Sequence, residues 1–193
     1  IDKLIAVDVL LPQLLGGSGV KIEDFRTREV NELIIPKLLA AAERLKIKMS
    51  ETISLQSTTK ALPELALSKD YISLGKKIEI ETKKGVLSIE EPKLTFKEFA
   101  GINTIFTKEN NTLPTKRIEN EVEFVSVFTP INSALKKANL EINEIDYVLF
   151  IGGSAKNPFI QKAVSNYFTE SEILLLLQYS IIFLSSFSAN PIL

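Results

Sequence analysis

The residues best suited to do chemistry in this sequence are in the run Ile151-Gly152-Gly153-Ser154-Ala155-Lys156-Asn157-Pro158. The chemistry is binding: two consecutive glycines leave no Cβ to obstruct a tight turn or the approach of a ligand's atoms. An apolar, β-branched and aromatic run precedes them at 147–151, as a parallel strand buried on both faces requires. Asn157-Pro158 then supplies an N-cap and a proline for the first helical position. Strand, glycine turn and helix in that order place a binding edge at the strand's carboxyl end. An ordinary strand-to-helix turn has the same makeup. A second cluster is Glu43, Lys46, Ile47 and Ser50, which fall together on the flank of a helix expected over 37–49. The core stripe of that helix is Leu38, Ala41, Ala42, Leu45 and Met49, at i, i+3, i+4, i+7 and i+11. Such a flank is either a solvated face or a set of hydrogen-bonding groups for a ligand.

Composition narrows the possibilities. The sequence has no cysteine and no histidine, which excludes disulfides, thiol chemistry, Ser-His-Asp catalysis and the usual zinc ligands. Only carboxylates and backbone oxygens are left for a metal. A formal net charge of −1 gives no reason to expect nucleic acid. The apolar cluster at 173–184 is interrupted by Gln178, Tyr179 and Ser180. As a helix it would reach about 18 Å against a bilayer core of about 30 Å, so it reads as buried core and no membrane span is expected. No secretory signal begins the chain, and Ile1 falls inside a helical pattern, so a piece of a longer protein in a cytoplasmic setting is expected.

The 193 residues suit one domain or two small subdomains sharing a hinge. An apolar helix runs from Leu4 until Gly16-Gly17-Ser18-Gly19 ends it, with Pro12 marking a kink or break. Residues 25–35 are helical in pattern, and Pro36 can head the next helix. After Ser50 the alternation of Thr52-Ile53-Ser54-Leu55 predicts a strand. Residues 77–82 and 86–90 alternate about Lys83-Lys84-Gly85 as a hairpin. Thr95 and Glu98 form a capping box, starting a helix that carries Phe96 and Phe99 inward. Residues 101–117 read as a loop with some local helix. A helix bent at Pro130 is expected over 121–139, with Phe124, Val127, Phe128, Ile131, Ala134, Leu135 and Ala138 inward. It leads into the strand before the glycine turn, making a right-handed crossover unit. These elements predict an α/β fold: helices plus an antiparallel hairpin over 1–100, a divergent loop over 101–120, and an α/β unit over 121–193.

Two segments of the sequence, in order and spacing, carry a family resemblance. The helix Ala41-Ala42-Glu43-Arg44-Leu45-Lys46-Ile47-Lys48-Met49-Ser50 resembles the E-x-A-K-x-x-L-S helix of the seventy-kilodalton heat-shock chaperones (DnaK-like), a branch of the actin-like ATPases. Residues 131–138 and 145–162 resemble that family's A-L-x-x-A…I-D-x-V-x-L-V-G-G-S-x-R-x-P-x-[IV]-Q. The resemblance implies lobe II of the nucleotide-binding domain, a tip subdomain of helices and hairpin on an α/β base. It implies an ATP or ADP cofactor, with Glu43, Lys46 and Ser50 reaching ribose and adenine and Gly152, Gly153 and Ser154 beneath the base.

The family usually has arginine where this chain has Ile47 and Lys156, the two positions that clamp the adenine faces. Isoleucine keeps an apolar face; lysine does not replace a stacked guanidinium. The resemblance further implies a chaperone of the stress response whose partners are adenine nucleotide and a co-chaperone or nucleotide-exchange factor. A non-hydrolysing protein-interaction module that docks such a partner is the second reading. A sugar-kinase or actin-filament relative sharing only the fold is the third. Phosphoryl transfer needs the family's phosphate loops, a lobe I lysine and carboxylates around Mg²⁺. None of these motifs occurs in this sequence, so no catalytic or metal residue is expected here and the chain alone is expected to be inactive as an ATPase.

Overall fold

The computed structural model describes residues 1–57, 61–68, 70–108, 113–115, 122–124 and 126–175. Residues 109–112 and 116–117 of the expected loop and the 176–184 part of the apolar cluster lie outside them. Two long helices form the centre of the first half. Helix α1 (2–16) and helix α2 (27–56) are each continuous, and each contains a π-helical stretch, Ile5–Leu10 in α1 and Val30–Ile34 in α2. In both cases the stretch lies just ahead of a proline, Pro12 or Pro36. A proline ring displaces the carbonyl four residues earlier and offers no N–H. Those carbonyls belong to Asp8 and Glu32, inside the widened turns. The break expected at Pro12 is therefore absorbed by a change of hydrogen-bonding pattern, and the helix goes on.

Helix α2 also overruns the strand expected at 52–55, since Ile35–Gln56 is unbroken α-helix. Ile53 continues the stripe of Leu38, Ala42, Leu45 and Met49, all fully buried, while Leu55 points outward. Four alternating residues fit both periods, and the burial of Ile53 in the large apolar core cluster selects the helix.

Helix α3 (Leu62–Leu67) is followed by strands β1 (Tyr71–Ser73), β2 (Ile78–Thr82), β3 (Gly85–Ile89) and β4 (Lys93–Thr95). The hairpin forms as expected: β2 and β3 are antiparallel, and Ile80 faces Leu87 across the pair with both side chains buried. Strand β1 pairs antiparallel with β4, enclosing the hairpin in sequence. The amide of Gln13 behaves as a further strand for β4, donating from Nε2 to the Lys93 carbonyl at 2.8 Å and accepting from the Lys93 N–H at 3.0 Å.

Charge fastens the hairpin from outside. Lys77 Nζ lies 2.8 Å from Glu90 and 3.0 Å from Glu79, and the bond from Lys77 holds the Glu90 carboxyl below the usual glutamate range. A carboxyl depressed in the folded state contributes stability above its ordinary value and loses it as pH falls through the lowered one. The Lys77→Met variant should therefore melt below the parent at neutral pH, with the gap closing in acid. A gap that is unchanged at acid pH would contradict the assignment.

The capping box also forms as expected: Thr95 Oγ1 accepts from the Glu98 N–H at 3.1 Å, and Glu98 Oε2 accepts from the Thr95 N–H at 2.8 Å. It starts helix α4 (Phe96–Thr107), which buries Phe96 and Phe99 and runs well into the stretch expected to be loop. Strands β5 (Leu113–Thr115) and β6 (Val122–Phe124) pair antiparallel. Helix α5 (Phe128–Ala138) is consequently much shorter than the expected 121–139, and Phe124 belongs to a strand. Pro130 then sits in the first turn, where a missing N–H breaks no intrahelical bond. Of the expected inward set Phe128 is buried, Ile131 and Leu135 are half-buried, and Ala134 and Ala138 are exposed. Asn139 in the left-handed region closes α5.

The last unit is strand β7 (Tyr147–Phe150), helix α6 (Pro158–Tyr167) and strand β8 (Glu172–Leu175), with β7 and β8 parallel. The strand-turn-helix order is as expected. Burial on both faces is not: Tyr147, Leu149 and Ile151 are 63, 51 and 66% exposed, while Phe150 faces the core. Leu174 and Leu175, which point to opposite faces of β8, are both exposed, so the start of the apolar cluster is strand and not the expected buried core. Among the described residues the apolar contacts of this pair run from Val148, Phe150 and Ile173 to α5 and α6.

The architecture is thus mixed α and β, with small sheets around helices. Two buried clusters result: a large one built from α1, α2, α4 and the strands up to β4, and a small one of Phe150, Val164 and Phe168 with α5 beside it. Among the described residues no helix is long and apolar enough to cross a membrane.

Candidate functional site

Strand β7 ends at Phe150, and the chain then turns sharply. Gly152 has φ of +85°, a region that side chains with a Cβ rarely enter, whereas Gly153 has helical angles. A Cβ built on either glycine would meet nothing within 4 Å, so both face open space. Residues Ser154–Lys156 form one 3₁₀ turn, in which Lys156 N–H donates to Gly153 O at 3.2 Å and Asn157 N–H to Ser154 O at 3.1 Å. Gly152, Gly153, Ser154 and Lys156 are all exposed. Asn157 caps α6 as the sequence predicts, its Oδ1 accepting from the Phe159 N–H at 3.0 Å.

The helix flank is more varied. Glu43 is exposed and Ile47 is 48% exposed, so both are open to a ligand. Lys46 is half-buried and its Nζ lies 2.8 Å from Asp2 Oδ2, pinning α1 to α2. Ser50 is buried. The structure therefore gathers the four turn residues on one open surface and splits the helix set into two open and two covered positions. Helix α6 touches both α2 and α4. No described hydrogen bond or ion pair joins any of Glu43, Lys46, Ile47 and Ser50 to Gly152, Gly153, Ser154 or Lys156. A cavity of about 950 Å³ is lined by Phe128, Phe159, Tyr167 and Lys162, among others, and includes none of the eight.

Two polar contacts escape a reading of the sequence. Asp2 is the partner of Lys46, and its other oxygen, Oδ1, is buried with no donor. Only a fold that brings together residues 44 apart in sequence reveals the pair. Asn103 is fully buried in α4. Its signal was present: it follows Phe96 and Phe99 at i+7 and i+4, a polar residue on a buried stripe.

The fit to an adenine nucleotide can be judged from these features. Open space in front of a Cβ-free turn suits a flat ring, and an exposed carboxylate at Glu43 suits a hydroxyl donor. Among the described residues, no group of three or more carboxylates stands close enough to hold a metal ion.

A model of the Hsp70 protein family matches residues 77–174, just over half of the chain, and so includes the glycine turn but not the 43–50 flank. The chain is 28% identical over 162 residues to "Chaperone protein dnaK1" of Synechococcus elongatus, which covers 83% of this chain and 20% of that protein. The figures are the same for "Chaperone protein DnaK 3" of Synechococcus sp.. To "Heat shock protein 70 homolog lhs1" of Schizosaccharomyces pombe it is 46% identical over 44 residues, 23% of this chain and 5% of that one. The chain thus spans about a fifth of the length of the two cyanobacterial relatives.

Proposed function

The chain belongs to the Hsp70 protein family, and from that premise we propose that it forms one wall of an adenine-nucleotide site and relays the closure of that site. The observation that carries this reading is the turn opened by Gly152 and Gly153: exposed, without a Cβ at either position, set at the carboxyl end of a parallel strand, and inside the family match. Gly152, Gly153 and Ser154 take the face of the base, with Lys156 at their edge. Glu43 accepts from the sugar, Ile47 offers an apolar face, and Lys46 and Ser50 support the flank from beneath. Lys46 does so through its ion pair with Asp2. In this reading residues 1–100 are the tip and 121–193 the base of lobe II of an actin-like ATPase domain, with the two buried clusters in support. A ligand that binds the closed arrangement better shifts the population toward it.

ATP hydrolysis is assigned to parts of the family's domain whose motifs this sequence lacks, Mg²⁺ binding included. We expect no turnover above a buffer blank from the pure chain; measurable release of phosphate would overturn that. The binding claim is tested by melting the chain with and without millimolar ADP. At a hundred times Kd the ligand adds about 2.7 kcal/mol, a midpoint rise of roughly 5–10 °C for a chain of this size. Glu43→Ala and Ser154→Ala should each remove the rise and leave the unliganded midpoint within about 2 °C. The exposed Ile47, an apolar side chain on the flank, favours a second reading, a non-hydrolysing module that docks a co-chaperone or exchange partner. No rise with ADP in a folded sample decides for that one.

A further inference from the structure

The two buried clusters meet at a polar contact that nothing in the family reading requires. Asn157 Nδ2 donates to Asn103 Oδ1 at 2.6 Å, with the two residues 2% and 0% exposed. Each amide is oriented by its own backbone partner. Asn103 Nδ2 donates to the Phe99 carbonyl at 2.8 Å, and Asn157 Oδ1 accepts from the Phe159 N–H at 3.0 Å. With those ends committed, the remaining ends are an acceptor and a donor, and they face one another. Flipping either amide would set like against like in two places. Beside the pair the rings of Phe99 and Phe159 meet edge to face, with centroids 5.9 Å apart.

We propose that Asn103 and Asn157 are a positioning pair that sets where the glycine turn stands relative to the α2 flank. Two consecutive 3₁₀ bonds tie Gly153 and Ser154 to Lys156 and Asn157, so holding Asn157 in place holds the Gly153 end of the turn. On the other side Asn103 belongs to α4, which packs against α2 within the large cluster. An apolar pair of the same shape could be equally stable, since burying two amides gains little net free energy. It would, however, tolerate sliding. Two amides satisfied in a single relative placement do not, and a buried polar contact of this kind specifies register more than it adds stability. The effect on ligand rests on the adenosine reading; the mechanical lock does not.

A double-mutant cycle tests it on the full chain. Asn157→Ser keeps an N-cap side chain while losing the reach to Asn103; Asn103→Leu keeps the volume while leaving Asn157 Nδ2 without an acceptor. Each single variant should lower the melting midpoint by on the order of 5 °C, and the double variant by no more than the worse single. Hydrogen exchange at the Lys156 and Asn157 amides should quicken at least tenfold in Asn103→Leu, while amides in the middle of α4 keep their rate. Additive midpoints, or exchange raised equally through α4 and α6, would overturn the lock. The ADP-induced shift should fall by half or more in Asn103→Leu. If the parent chain shows no shift at all, the nucleotide reading fails while the cycle still decides the lock. If the parent shifts and Asn103→Leu shifts equally, the lock has no part in positioning the turn.

Discussion

Gly153→Ala should leave the chain folded, with its melting midpoint unchanged or raised, and abolish the midpoint rise produced by ADP. Gly153 has ordinary helical angles and a Cβ there meets nothing within 4 Å, so the fold has no use for the missing methyl. Where alanine can adopt the native angles, replacing glycine stabilises by about 0.4–1 kcal/mol through the unfolded chain. A ring lying against the turn does have a use for it, because the methyl would stand in the space that the ring fills. Gly152→Ala makes the contrast. Its φ of +85° would cost alanine about 1–2 kcal/mol whatever the ligand does, so a lost response there confounds strain with contact. Position 153 separates them. Retention of the full ADP response in Gly153→Ala would remove the turn from beneath the base. The measurement is a pair of melts for each variant, with nucleotide and without.

The largest loss of stability should come from Phe99→Ala. The ring is fully buried in the large cluster and meets Phe159 of α6 edge to face. Emptying such a site removes the transfer free energy of the ring and leaves a cavity, together about 3–5 kcal/mol. Against a total of about 5–15 kcal/mol for a domain this is a large share, and it corresponds to a midpoint fall on the order of 10 °C. Leu67→Ala, at a side chain 78% exposed, should change stability by less than about 0.5 kcal/mol and serves as the control. Urea titration of both variants gives the comparison directly. A Phe99→Ala change no greater than that of Leu67→Ala would mean that the two clusters do not share the joint described above.

Local chemistry was legible where it was locally complete. The capping box of Thr95 and Glu98, the hairpin about Lys83-Lys84 and the cap at Asn157 each need residues within a few positions of one another, and each formed as expected. The misreadings at 52–55 and 121–139 share one cause. A short apolar pattern there satisfied both helical and strand periods, and the choice fell to partners distant in sequence. Ile53 is drawn into the helix by burial in the large cluster, and Val122–Phe124 into a strand by 113–115. Pro12 differs for another reason: a proline breaks the hydrogen-bond ladder of an α-helix, and the chain escapes that cost through a π turn.

The glycine turn illustrates the division. By itself the sequence determined that residues 151–158 would leave a strand, turn tightly and enter a capped helix, because glycine, asparagine and proline impose those backbone angles on their own. It also determined that Glu43, Lys46, Ile47 and Ser50 share a flank, because helical geometry does so. Tertiary structure alone decided which of those groups are open. It gave Lys46 to Asp2, covered Ser50, left Glu43 and Ile47 exposed, and tied the turn to α4 through Asn103 and Asn157. These contacts join residues 44 and 54 positions apart. Backbone preference acts over one turn of chain, whereas burial and the pairing of polar groups are properties of surfaces that exist only once distant elements have packed.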